Sequence, residues 1–238
     1  MSSQYTYLII LLVSLAGPLS LSFDKKVAFY REWTYLFPAI LPAAIFYIIW
    51  DIYFLDKNVW SFSEAHILGV KFFGLPLEEV AFFFVVPYCC MFIYCCIRAY
   101  FPNIKNTVTA YFRLQLFSLV LLAAVVFAWP RMYSSYTFFL LGLAIVLVGH
   151  FRKRLSFFHT NYFLISYAVI LIPFLVVNGF LTAIPVVLYN DAENLNFRIY
   201  TIPFEDIFYG MLLFLLDVLC FEYLRAKSSS KKVDLVQN

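Results

Sequence analysis

Apolar stretches near membrane-crossing length recur from Tyr5 to Leu224 with little polar sequence between them. A helix needs about 20 predominantly apolar residues to cross a hydrocarbon layer about 30 Å thick, because each residue advances it by about 1.5 Å. Backbone groups in lipid must find hydrogen-bond partners within the segment or in a closed barrel, so a chain built of such stretches has few folds open to it. Seven spans are expected, at about 5–22, 34–55, 77–97, 112–129, 133–150, 160–181 and 205–224. Only 13% of residues are charged and 64% are hydrophobic, against roughly 25% charged in a soluble domain. The expected class is therefore an all-α integral membrane protein. The first stretch reads as a span and not as a cleaved leader, because no charged residue precedes Asp24 and Ala16-Gly17-Pro18 lacks the small-x-small pattern.

Charge sets the expected orientation. Thirteen of the seventeen Lys and Arg residues fall on one side of these spans, leaving Lys57, Lys71, Arg131 and Arg198 on the other. The positive-inside rule then puts the N-terminus outside and the 227–238 tail in the cytoplasm of a cell whose membrane holds the protein. The net charge of +3 is a topology signal, and nothing supports a nucleic-acid partner. The cysteines Cys89, Cys90, Cys95, Cys96 and Cys220 lie inside spans without zinc-site spacing and read as small packing residues.

The chain also contains itself twice. Pro76, Glu78 and Glu79 map onto Pro203, Glu205 and Asp206 at an offset of 127, which also carries Asp51 onto Asn178 and Arg98 onto Arg225. Upstream, Tyr7–Phe23 resembles Tyr136–Phe151 with a shift of about two residues. The expected organisation is a three-helix repeat over 1–100, a linking helix within 101–131, a second repeat over 132–226 and a tail over 227–238. A single linking helix makes the repeats parallel, related by an axis along the membrane normal, so both acidic motifs start on the outer side.

Pro-x-Glu-Glu at a helix start has a bland explanation. Proline suits the first turn, and carboxylates there complement the positive end of the helix dipole. Neighbouring helical residues nevertheless point about 100° apart, so one carboxylate of each pair is expected to face other helices. Ionisable groups at this depth are costly and usually functional. Gly210 leaves room near Asp206, and Pro87 is expected to kink the third span. The chain has 29 Phe, 18 Tyr and 4 Trp, and aromatic ring faces stabilise cations without attacking them. Acids beside such rings point to carbocation chemistry.

Here the residues match a family. Trp50-Asp51-Ile52-Tyr53-Phe54, Val59-Trp60-Ser61-Phe62, Leu75-Pro76-Leu77-Glu78-Glu79, Phe82-Phe83 and Pro87-Tyr88 resemble one half of the flavin-independent lycopene β-cyclases. Tyr189-Asn190 and Arg198-Ile199-Tyr200-Thr201-Ile202-Pro203-Phe204-Glu205-Asp206-Ile207-Phe208-Tyr209 resemble the companion half, as in a fused pair. The chain departs from the expected pattern at Ser61-Phe62 and at Asn196, where glycines are expected. The resemblance implies that a linear ψ-end carotenoid such as lycopene is protonated at C2, closes through attack of C5=C6 on the C1 cation, and loses the C6 proton to give a β-ionone ring. No cofactor is implied. Glu78, Glu79, Glu205 and Asp206 are the expected acids and bases, and Asp51, Trp60, Phe83, Tyr88, Asn190, Arg198, Tyr209 and Gly210 the expected substrate-binding residues.

A small-solute transporter with a 3+1+3 parallel-repeat plan is the alternative, although the Pro-Gln pattern of small sugar transporters is missing. A retinal-binding protein would need a lysine in the last span, and 205–224 has none.

Overall fold

The computed structural model describes the backbone of residues 3–237 and the side chains of 4–229. Seven α-helices carry the fold: α1 (Thr6–Leu21), α2 (Trp33–Asp56), α3 (Leu77–Tyr100), α4 (Val108–Ala128), α5 (Met132–His150), α6 (Thr160–Ala183) and α7 (Glu205–Gln237). Six of them are long and apolar enough to cross a membrane, and α1 is a shorter apolar helix of 16 residues. The protein is an all-α integral membrane protein. Pro18, Pro38, Pro42, Pro87 and Pro173 lie inside helices that continue through them. In a helical bundle, neighbouring helices and local adjustments accommodate the lost backbone bond.

Short strands cover the ends of the helices that carry the acids: β1 (Trp60–Phe62), β2 (Lys71–Phe72), β3 (Leu75–Pro76), β4 (Val187–Tyr189), β5 (Arg198–Ile199) and β6 (Ile202–Pro203). The hairpins β2–β3 and β5–β6 are copies at the offset of 127: Lys71 pairs with Pro76 as Arg198 pairs with Pro203. The turn Phe73-Gly74 has positive φ at both residues, 49° and 86°, the requirement of a tight two-residue hairpin turn. Before each hairpin the chain turns left-handed, at Gly69 (φ 83°) and at Asn196 (φ 54°). Asparagine tolerates that region better than most residues, so the departure from glycine at 196 leaves the loop conformation in place. Strands β1 and β4 pair antiparallel across the two halves, with Trp60 opposite Tyr189.

At the opposite end the halves are tied by charge. Glu222 accepts hydrogen bonds from Arg98 and, at 3.0 Å, from Tyr94, while Arg225 pairs with Glu32 at 3.2 Å. Between the two polar ends the core is aromatic, with Tyr47, Phe83, Tyr94, Phe163, Phe214 and Phe221 fully buried.

Candidate active site

All four repeat-motif acids are buried in the first turns of α3 and α7, and the two members of each pair do different things. The first member anchors a loop. Glu78 accepts from the Leu68 amide at 2.6 Å, and Glu205 accepts from the Leu195 amide at 2.7 Å and from the Ser134 hydroxyl. Leu68 and Leu195 are again 127 residues apart. The second member faces the interior. Glu79 accepts from the Tyr7 hydroxyl and lies within hydrogen-bonding reach of the Asp51 carboxyl. Asp206 accepts from the hydroxyls of Tyr133 and of Tyr189, the latter at 3.0 Å, and from the Asn178 amide at 3.4 Å.

Glu79, Asp206 and Asp51 converge on one narrow cavity of about 50 Å³, also lined by Trp60, Tyr209 and Gly210. Aromatic rings close it. The Trp60 ring lies edge-on to Tyr133 (centroids 5.2 Å apart), Tyr189 (6.0 Å) and Tyr209 (6.1 Å), and Tyr209 donates to Asp51 at 2.5 Å. The cavity continues down the face of α7 to Leu213, Phe214 and Asp217. Asp217 stands eleven residues beyond Asp206, roughly 16 Å along the helix, and neither of its carboxylate oxygens has a hydrogen-bond partner among the described residues.

Of the residues singled out from sequence, Glu79, Asp206, Asp51, Trp60, Tyr209 and Gly210 thus come together. The others lie apart. Phe83 packs behind the wall against Tyr47, with centroids 5.4 Å apart, and Tyr88 bonds Ser22 at 2.5 Å beside Phe29. Asn190 ties the end of β4 to the α2–β1 turn, bonding Val59 at 2.9 Å and Asn58 at 3.1 Å. Arg198 holds its hairpin by donating to the Thr201 carbonyl at 2.8 Å and to Asp191. Its hydrogen bond and charge keep the Asp191 carboxyl below the ordinary carboxylate range.

Tyr7, Tyr133, Tyr189 and Asn178 also belong to the site and were not singled out. The repeat could have found Asn178, which stands 127 residues after Asp51. Tyr7 lies 72 residues before Glu79, and Tyr133 lies 73 before Asp206. In structural terms the partner of Tyr7 is therefore Tyr133 and not Tyr136, because the hydrogen bond to the acid fixes the alignment that hydropathy alone leaves loose. Asn178 donates to Asp206 from the position equivalent to Asp51, which faces Glu79.

Comparison with known proteins supplies a family. The profile of the family described as lycopene cyclase matches residues 4–97 and again 130–224. A bifunctional lycopene cyclase/phytoene synthase of Leptosphaeria maculans is 28% identical over 155 residues, covering 60% of this chain and 24% of that protein. Proteins of the same name from Phaeosphaeria nodorum and Arthroderma gypseum are 42% identical over 41 residues and 39% over 46. These stretches cover 17% and 19% of this chain and 7% and 8% of those proteins. The matched region is about a quarter of the length of the Leptosphaeria relative or less in the other two. No solved structure matches the chain significantly.

Proposed function

Because this chain belongs to the lycopene cyclase family, we propose that it is a lycopene β-cyclase that closes ψ ends to β-ionone rings by acid–base chemistry, without net oxidation or reduction. The observation that carries the mechanism is the difference between the halves at one matched position, Asp51 against Asn178. Two carboxyl groups can hydrogen-bond to each other only when one carries a proton, so the Asp51–Glu79 contact is suited to hold the proton that is given to C2. Asp206 has no carboxyl neighbour at the matched position. It receives hydrogen bonds from two phenols and an amide, so its oxygens act as acceptors. Asp206 is then the base that takes the C6 proton. One proton enters at C2 and one leaves from C6, and the new bond joins C1 to C6.

Between these steps the positive charge rests on carbon, where water would capture it. The rings of Trp60, Tyr133, Tyr189 and Tyr209 wall the cavity around the acids, so that a substrate end seated there takes the place of its water. Their faces stabilise a cation by about 0.5–2 kcal/mol each. Glu78 and Glu205 serve as anchors that hold the first turns of α3 and α7 against their loops. The three-helix halves 1–100 and 132–226, joined by α4, are proposed to run parallel with the acid cavity toward the outer membrane face and the 227–238 tail in the cytoplasm. The small-solute transporter alternative gains no support from the family match.

Expression in a lycopene-accumulating host tests the reading. The expected result is β-carotene or monocyclic γ-carotene, formed without added flavin or nicotinamide and carrying one deuterium per ring when the purified protein works in D₂O. Unchanged lycopene with the protein folded in the membrane overturns it.

A further inference from the structure

A cavity of about 50 Å³ is far smaller than the roughly 300–1,000 Å³ of ordinary small-ligand pockets. It is space for a reacting end and not for a long molecule. A second, apolar cavity of about 180 Å³ lies between α1, α3 and α6, and it shares Val86, Cys90, Ile170, Phe174 and Asn178 with the acid cavity. Asn178 donates to Asp206, while Ile170 stands eight residues along α6, roughly 12 Å deeper into the bilayer. On its outer side the groove meets lipid, where Pro173 and its neighbours Ile172 and Val176 are exposed.

Helix backbone is loosened along this groove. Pro18 in α1 and Pro173 in α6 both line it, and each proline removes a backbone hydrogen bond and favours a bend. Phe174 stands at the junction of the two cavities. Its ring rests on Gly210 so closely that a Cβ there would come within 3.0 Å. Connection, not size, distinguishes this groove. A larger one of about 350 Å³, between α2, α5 and α7 around Ala144, shares no lining residue with the acid cavity.

We propose that the groove between α1, α3 and α6 binds the polyene chain of the linear carotenoid and admits it sideways from the lipid, with the Phe174 ring turning aside to let the end group reach the acids. This rests on the cyclase reading for the identity of the ligand. The groove offers apolar contact over roughly 12 Å of α6, which suits the part of the polyene next to the reacting end, and at Asn178 it meets the acid cavity.

Plugging the groove is the test. Val177 is half-buried in its wall, and Val177→Trp in the full chain should lower kcat/KM for lycopene about tenfold or more with kcat little changed, the signature of lost binding. Ser14→Leu on the facing wall should do the same, which guards against a Val177→Trp protein that fails to fold. Ala144→Trp, in the unconnected groove, should leave the rate unchanged. Binding is read separately as the induced circular dichroism of lycopene on the Glu79→Gln chain, which should vanish with either plug and persist with Ala144→Trp. Full rates and full dichroism in both plugged chains overturn the proposal, as does an equal loss in Ala144→Trp. A parent chain that binds lycopene in a plug-sensitive way but never cyclises it overturns the cyclase reading and supports the groove.

Discussion

Two carboxylates side by side in sequence have opposite duties when one points along the loop and the other into the bundle. Amide substitution separates them. Glu78→Gln keeps an oxygen to accept from the Leu68 amide and Glu205→Gln one for the Leu195 amide, so both variants should cyclise near the parent rate. Glu79→Gln, Asp51→Asn and Asp206→Asn remove a proton donor or acceptor, and each should lower the rate about 10²–10⁴-fold, as read from pigment yield per folded protein. Equal losses at Glu78 and Glu79 would remove the distinction. Asp217 gives a stability counterpart: it is fully buried and unpartnered. A buried polar group without a partner costs about 1–3 kcal/mol, so Asp217→Leu should raise the unfolding temperature in detergent. The acids were legible from sequence because proline, carboxylates and apolar run are adjacent. Tyr7 and Tyr133 were not, because they arrive on other helices, and a tyrosine in a chain with eighteen of them carries no local mark.

The helices were legible because hydropathy reports them directly, and the expected spans lie on the observed helices to within a few residues for α1, α2, α3, α5 and α6. The tail of α7 runs on past its apolar part to Gln237, where composition no longer signals a span. The strands were invisible: two or three residues show no alternation, and the β1–β4 pair joins halves far apart in sequence. What the sequence offered there was turn chemistry. Gly69 and Asn196 occupy matched left-handed positions, and a Cβ at Gly69 would meet nothing within 4 Å. The cost of Gly69→Ala is then conformational, about 1 kcal/mol or somewhat more. Asn196→Gly, relieving the same strain in the other half, should shift stability in the opposite direction. Paired thermal unfolding curves check both signs, and shifts of the same sign would mean that the two loops are not equivalent.

At the scale of the molecule, the two family-matched segments contribute to one candidate site and not two. Asp51 and Glu79 of one half and Asp206 of the other meet in a single cavity under the strands that cross between the halves. In the proposed mechanism, divergence at Asp51 and Asn178 lets one half give a proton while the other takes one, a division that two identical halves cannot make. On the cyclase proposal, one cavity also accepts one end of a long substrate at a time. A carotenoid whose first end has closed must leave and return reversed, or turn within the bilayer, before its second end meets the same acids. Monocyclic product should therefore precede bicyclic product in a rapidly sampled time course. With substrate in large excess, the monocyclic compound should accumulate, because unreacted lycopene competes for the vacated cavity. Asp51→Asn should slow both ring closures by the same factor, since both use the same proton. Simultaneous closure, with no transient monocyclic pigment at any substrate ratio, would require a second acid site and would contradict the shared cavity.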